Sequence, residues 1–557
     1  MPRKSPEIME VNSQRVEEML ERAAANLQHD DAELMRRIVE SYGYIADLVE
    51  DKNTSIARLR KLMFGSKTEK TEQVVGKSEA DTQTPADTES AGNPAASDAS
   101  TAIGADDTAD QSRPPPPGHG RYGADDYQGA CQVDVKHPKL LPGDACPECA
   151  QGTLYEKTPS AIVRVVGQAP LGATVYRMQR LRCHLCGKTF TAPTPKEVGN
   201  EKYDVTAASM IGLLKYGSGL PFNRIQRLQR SCEIPLAAST QWDIVHTTAS
   251  LFLPAYDELI RQAAQGEVVY NDDTHVRILE LMGERAAKTP PDNDEHDPDR
   301  TGLFTSGVMA TRAGVRIALF FSGRQHAGEN LTDVLKHRAT ELETPIQMCD
   351  GLDRNLPREL ETILANCLAH ARRKFVDIYD RFMDECRHII EALKAVYHND
   401  QVAKDDRLSA EERLAYHQSH SKPVMDALHK WMQRQLDEKQ VEPNSALGEA
   451  MSYMLKRWGR LTLFLRKAGA PLDNNTCERL LKKAILHRKN SMFFKTRNGA
   501  RIGDMYMSLI YTCELAQVNA FDYLNQLQIN AQHVAANPDR WMPWNYVQNM
   551  PRESNAA

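Results

Sequence analysis

Val268-Val-Tyr-Asn-Asp-Asp-Thr-His-Val-Arg-Ile278 begins apolar and β-branched and carries two adjacent carboxylates at its centre. That composition predicts a strand. Two more strand-like runs follow, Thr301-Gly-Leu-Phe-Thr-Ser-Gly-Val-Met-Ala310 and Val315-Arg-Ile-Ala-Leu-Phe-Phe321, with turn residues between them. Together they predict an antiparallel meander of three strands. Helical sequence then leads into a fourth strand, Pro345-Ile-Gln-Met-Cys-Asp350. This β-β-β-α-β order is that of a ribonuclease-H-like fold, in which acids on the first and fourth strands converge with one from a later helix. Alternation sends Asp272 and Asp273 to opposite faces of their strand, so only one can act as a ligand there. Position alone barely separates them.

The third acid is Glu478, within Asp473-Asn-Asn-Thr-Cys-Glu-Arg479 at the start of a helix. Lys482 and Lys489 lie near its face at i+4 and i+11. From Arg479 to Arg501 there are eight Lys or Arg, Arg488 among them, and no acid, with Phe493 and Phe494 interleaved. Alone, such a run is as readily a solvated basic face. Directly after an acid-bearing motif it reads as a phosphate-binding surface. Three carboxylates from distant places suit a pair of Mg²⁺ (or Mn²⁺) ions, which want hard oxygen ligands. Two such ions can clamp the attacking and leaving oxygens of an in-line displacement at phosphorus.

At 557 residues the chain exceeds one hydrophobic core, so three or four domains are expected. The net charge of −6 is unevenly spread: Ser78 to Ser112 hold eight acids and no Lys or Arg. Without that stretch the remainder is about +2, so the global charge does not exclude nucleic acid. A charged N-terminus without an apolar h-region, and no apolar run as long as a membrane span, predict a cytoplasmic protein. Eleven cysteines in that compartment argue for metal ligation and buried thiols.

Residues 10–70 predict a helical, coiled-coil dimerisation segment, with Leu34, Ile38, Ile45, Leu48, Leu59 and Leu62 near heptad spacing. A homodimer or higher oligomer is therefore expected. Residues 71–128 are an acidic, Pro-rich tether that cannot fold on its own. Residues 129–197 predict a zinc ribbon. Cys146-Pro-Glu-Cys149 and Cys183-His-Leu-Cys186 are two knuckles with 33 residues between them, suited to one structural Zn²⁺ with no open position.

Residues 198–262 carry a helix-turn-helix pattern: Val205–Tyr216, then a helix from Pro221 in which Arg224, Arg227 and Arg230 recur, then a helix capped by Ser239. Thr240, Gln241 and Asp243 would lie near the reading face, with Arg224 and Arg227 on phosphates. An ordinary three-helix packing unit fits the pattern nearly as well. Lys215 joins these residues as a DNA-binding candidate. The catalytic core is then expected over 263–375 and 471–527, interrupted by a helical insertion over 376–470 and followed by a tail over 528–557. An insertion is inferred because 127 residues separate Asp350 from Glu478.

At these positions the chain resembles the transposases of the insertion sequence 66 family. The matching stretches are Asp272-Asp-Thr, Asp350-Gly, Cys367-Leu-Ala-His-Ala-Arg-Arg-Lys-Phe375, Asp473-Asn-Asn-Thr-Cys-Glu-Arg479 and Arg488-Lys-Asn490. Leu62-Met-Phe-Gly65, the cysteine ribbon, Lys215-Tyr216 with Leu220-Pro-Phe222, and Met542-Pro-Trp-Asn545 are collinear with that family's landmarks too. The resemblance implies a DDE transposase with Asp272, Asp350 and Glu478 as metal ligands, and it favours Asp272 over Asp273. Asp273 is a departure, since Glu is commoner there. It also implies element terminal repeats and target DNA as partners, and two small accessory proteins of the same element. Cys367 and His370 resemble a CxxH feature of several transposase groups. His370 could approach the scissile phosphate as catalytic support, or the two could be a packed thiol and a satisfied imidazole. The rival functions are a ribonuclease-H-like nuclease without joining activity, and a catalytically inactive zinc-containing DNA-binding regulator.

Overall fold

The computed structural model describes residues 201–283, 300–358 and 360–550, together with Arg37, Lys139, 141–144, Pro147, 169–182, 189–195 and Arg285. The expected dimerisation helix (apart from Arg37), the acidic tether and the four ribbon cysteines lie outside the described residues. Two compact units form. One holds Arg37, Leu259–Ile485 and Lys495–Arg501; the other holds the described residues from Lys139 to Glu258, Leu486–Phe494 and the chain from Ile502.

The second of these opens with two short strands, β1 (Arg180–Arg182) and β2 (Thr189–Thr191), paired antiparallel. In sequence they stand on either side of Cys183 and Cys186. Helix α1 (Val205–Gly212) starts on Asp204, whose carboxylate accepts from the Ala207 N–H at 3.1 Å. It runs on as one π turn, Leu213–Gly217, so the expected helix is present with its last turn widened. Tyr216 stacks on Tyr506 and His487 in this unit's interior. Lys215 is buried beside it, donating to Ser491 Oγ at 2.8 Å with its ammonium over the Phe222 ring. The expectation that Lys215 meets DNA is therefore corrected. Burial lowers its pKa to about 8, because an ammonium out of water is disfavoured.

Helix α2 (Phe222–Ser231) follows Pro221, turning Ile225 and Gln229 inward and leaving Arg224, Arg227 and Arg230 exposed. Helix α3 (Ala238–Ala264) begins one residue before the expected Ser239 cap. Its opening N–H, that of Ala238, is accepted by Gln226 Oε1 of α2 at 2.8 Å, so a neighbouring helix supplies the cap. Gln241 is also corrected. It is fully buried, and its Nε2 donates to the Leu236 and Phe222 carbonyls at 3.1 and 3.3 Å, which pins α3 to α2 rather than presenting an amide to bases.

In the other unit, β3 (Val268–His275), β4 (Phe304–Arg312) and β5 (Val315–Gly323) form the expected meander. Ala313 and Gly314 both have positive φ, 47° and 81°, the turn that matches strand twist in tight hairpins. Helix α4 (Ala327–Leu335) packs on β3 and β4 and leads to β6 (Ile346–Cys349) and β7 (Ile363–Asn366). The sheet order is β5-β4-β3-β6-β7, with β6 parallel to both β3 and β7. Strand β7 was not expected: its run Ile363-Leu-Ala-Asn366 passes into α5 at Leu368 with no Gly or Pro to mark where strand ends and helix begins.

Helices α5 (Leu368–Ile378), α6 (Met383–Asp405), α7 (Ala410–His420), α8 (Lys422–Asp437), α9 (Ala446–Lys456) and α10 (Trp458–Leu461) follow, then α11 (Asn475–Ser491). The stretch expected as an insertion is helical but has no core of its own. One cluster runs from Val268, Ile346, Met348 and Ala365 on the sheet through Phe375 to Ile389, Leu393, Met425, Met451, Phe464 and Leu472. Burial against the strands therefore holds these helices. After α12 (Arg497–Leu515) and α13 (Ala520–Ile529), residues beyond 527 add α14 (Ala531–Ala536) and α15 (Tyr546–Asn549). Trp541, Met542 and Tyr546 there are buried, and Tyr523 donates to the Trp541 carbonyl at 2.7 Å. No helix among the described residues is long and apolar enough to cross a membrane.

Candidate active site

Parallel pairing sets the first two acids side by side. Val268 lies beside Ile346 and Tyr270 beside Met348. Carried on by two residues, that register puts Asp272 next to Asp350, which directly follows β6, on the face Tyr270 and Met348 share. Gly351 turns the chain there with φ +83°, and a Cβ on it would stand 3.0 Å from Asn366 Nδ2, so both conformation and space call for glycine. Asp350 Oδ1 accepts from the Leu352 N–H at 3.0 Å, an Asx turn, and from Asn355 Nδ2 at 2.7 Å. The same amide stands 3.5 Å from Asp272 Oδ1.

Asn355 is itself held. Its carbonyl accepts from Asn271 Nδ2 and Gln347 Nε2, both at 2.7 Å, and Gln347 accepts from Thr362 Oγ1 at 2.7 Å. This buried amide chain fixes the one donor that two carboxylates share. From α9, Tyr453 donates to the Asp350 carbonyl at 3.2 Å. Burial, and next the Asp350 charge, push the Asp272 carboxyl up to about 7 despite hydrogen bonds from the Asp273 N–H and Asn355. Asp273 points the other way, its side chain 1% exposed, with His326 Nδ1 at 2.9 Å and Arg354 at 3.1 Å. The two aspartates thus differ in partners: Asp273 meets the Arg354 guanidinium and the His326 ring, and Asp272 meets another acid.

Helix α11 reaches the sheet at Gly307, the β4 residue directly opposite Asp272. A Cβ on Gly307 would stand 3.1 Å from Leu481 Cδ2, and Cys477 Sγ donates to the Gly307 carbonyl at 3.4 Å. Close approach there brings in Glu478, one residue on from Cys477. Asn474 ties the same turn to β3, donating to the Asn271 carbonyl at 3.3 Å. Gly307→Val is expected to destabilise the protein by about 1–3 kcal/mol through overpacking against Leu481, read as a lower urea midpoint. An unchanged midpoint would mean α11 is not seated on Gly307.

Glu478 is 23% exposed, with His370 Nε2 3.6 Å from Oε1 and Arg373 3.9 Å from Oε2. Its Oε1 is buried without a hydrogen-bond partner. Asp272, Asp350 and Glu478 do not share a single coordination sphere. Among the described residues, the trio whose ligand atoms lie within 4.8 Å of one another is Cys367, His370 and Glu478; the three acids do not form such a group. Carboxylates without a cation repel, and a two-ion site spreads its ligands more widely than one ion would.

Of the other candidates, Lys482 and Lys489 are exposed on α11, Arg488 and Thr240 are half-buried, and Asp243 is exposed. Asn355, Gln347, Asn271 and Tyr453 escaped the sequence reading. The signal for two of them was present: Asn271 and Gln347 are amides inside apolar strand runs, and buried amides need partners.

Residues 202–502 match the family model described as Transposase IS66 family. The chain is also similar to uncharacterized proteins of Sinorhizobium fredii (strain NBRC 101917 / NGR234). It is 26% identical to y4hP over 449 residues, covering 74% of this chain and 76% of that one. It is 27% identical to y4jD over 419 residues, covering 72% and 77%.

Proposed function

Because the chain belongs to the transposase IS66 family, we propose that it is a DNA transposase that binds its element's terminal inverted repeats and carries out metal-dependent strand cleavage and strand transfer. Three antiparallel strands followed by two parallel ones support a ribonuclease-H-like core. The observation that carries the reading is the Asp272–Asn355–Asp350 arrangement: one fixed amide between two carboxylates, one of them buried and raised to about 7. Such a pair is a costly feature unless a cation neutralises it.

Asp272, Asp350 and Glu478 would hold two Mg²⁺ or Mn²⁺ ions, and the donor set fits: all are hard oxygens, and Glu478 Oε1 has no hydrogen-bond partner. When bound, such ions activate the attacking oxygen and neutralise charge at the scissile phosphate. Asn355 orients both aspartates. Lys482 and Arg373 stand near Glu478 to hold phosphate oxygens, and His370 faces the same carboxylate. Arg224, Arg227 and Arg230 would meet the backbone of the repeat, while one zinc at Cys146, Cys149, Cys183 and Cys186 would brace the ribbon. We place the reaction in the cytoplasm, in a homodimer or larger assembly that accessory proteins of the element can join.

Labelled element ends incubated with target DNA and Mg²⁺ test this. Joined product is expected. Hydrolysed ends alone would indicate a nuclease without joining activity, and repeat binding indifferent to Mg²⁺ and to the three acids would indicate a regulator.

A further inference from the structure

We propose that Cys367, His370 and Glu478 form a further metal site, one that takes a borderline-soft divalent ion of the Zn²⁺ class and shares Glu478 with the acid site. The CxxH pair alone offers two ligands on one turn of α5, too few for a site. The tertiary structure adds a third from α11, and the three ligand atoms lie within 4.8 Å of one another. Around a tetrahedral zinc with the usual bond lengths, ligand atoms stand roughly 3.5 Å apart. A side-chain adjustment of about an ångström therefore closes the set.

Two independent observations point to a ligand rather than to packing. His370 Nδ1 and Glu478 Oε1 are both buried with no hydrogen-bond partner, although buried polar atoms are nearly always satisfied. Cys367 Sγ, 1% exposed, accepts from the Asn474 N–H at 3.2 Å, which orients the sulfur within this cluster; burial holds the thiol protonated until a metal displaces its proton. A thiolate, an imidazole and one carboxylate suit zinc or cobalt and are a poor match for magnesium. Binding exchanges the thiol proton for the metal, and the proton leaves to solvent. Three protein ligands leave one position open.

A regulatory consequence rests on the proposed function. With Glu478 held by zinc, the acid site loses its third ligand, so excess zinc suppresses strand cleavage that magnesium supports.

The test is a Co²⁺ titration of the full-length protein followed by absorbance. A near-ultraviolet thiolate-to-cobalt band reaching one further equivalent is expected. It should be missing in Cys367→Ser, kept in Cys386→Ser (a buried thiol elsewhere), and shifted to roughly tenfold or more higher cobalt in His370→Ala. The ribbon cysteines are intact in every variant, so any cobalt they take up cancels in the comparison. Circular dichroism establishes that the variants fold, and His370→Ala decides the matter if Cys367→Ser does not. An equal band in all four proteins, or none in the parent, overturns the site. Zinc inhibition of cleavage should weaken about tenfold in Cys367→Ser; equal inhibition overturns the sharing of Glu478. Because cobalt uptake is read optically, loss of joining activity with an intact band would count against the transposase reading and not against this site.

Discussion

Glu478→Gln should lower strand cleavage by on the order of 10³-fold or more, while terminal-repeat binding changes little. The magnitude follows from the several kcal/mol that metal charge stabilisation supplies to a phosphoryl transition state. Glutamine keeps the length of the side chain and its place in the first turn of α11, so the Cys477 contact to Gly307 and the Leu481 packing survive. What it removes is one negative charge from an oxygen with no other hydrogen-bond partner. Binding is a separate matter, proposed above to use the exposed arginines of α2, which the substitution does not touch. Gel-shift and cleavage assays on the same labelled end separate the two. Cleavage within a few-fold of the parent would remove Glu478 from the ligand set.

The second large effect concerns stability without metal. Asp272→Asn should make the magnesium-free protein more stable at pH 8 and leave it unchanged near pH 4. The sign follows from the direction of the shift, since the folded carboxyl is raised from 3.8 to about 7. Below pH 4 both folded and unfolded forms are protonated, and the aspartate contributes no difference. Between about pH 4 and 7 the unfolded chain ionises first, so stability falls as pH rises. Above 7 the folded state carries the whole penalty, at most about 4 kcal/mol for a shift of this size. Asparagine removes it, which corresponds to a gain of roughly 5–10 °C in Tm. Magnesium should raise the Tm of the parent at pH 8 and do little for the variant, because the cation relieves the same strain between carboxylates. Identical melting of both proteins at pH 8, with and without magnesium, would show that Asp272 carries no such penalty.

Much of the core was legible because its signals are local. Strands β3 to β6 show as apolar and β-branched runs with turn residues between them, and Glu478 shows as an acid opening a basic helix. Strand β7 was hidden because it runs into helix α5 with no Gly or Pro between them. Lys215 and Gln241 misled for a common reason: helical spacing says which residues share a face but not what covers it. Aromatic rings enclose Lys215, and the α2–α3 turn absorbs Gln241.

From its order of residues alone this chain determined a meander followed by a parallel strand, a helix opening on Glu478, and the chemical kinds of ligand available, since period and side-chain chemistry are properties of neighbours along the chain. Folding in three dimensions decided which oxygen meets which. The β3–β6 register set Asp272 rather than Asp273 beside Asp350, and the seat of α11 on Gly307 carried Glu478 to Cys367 and His370. Pairing register and helix docking depend on contacts between segments far apart in the chain, and no local pattern encodes them.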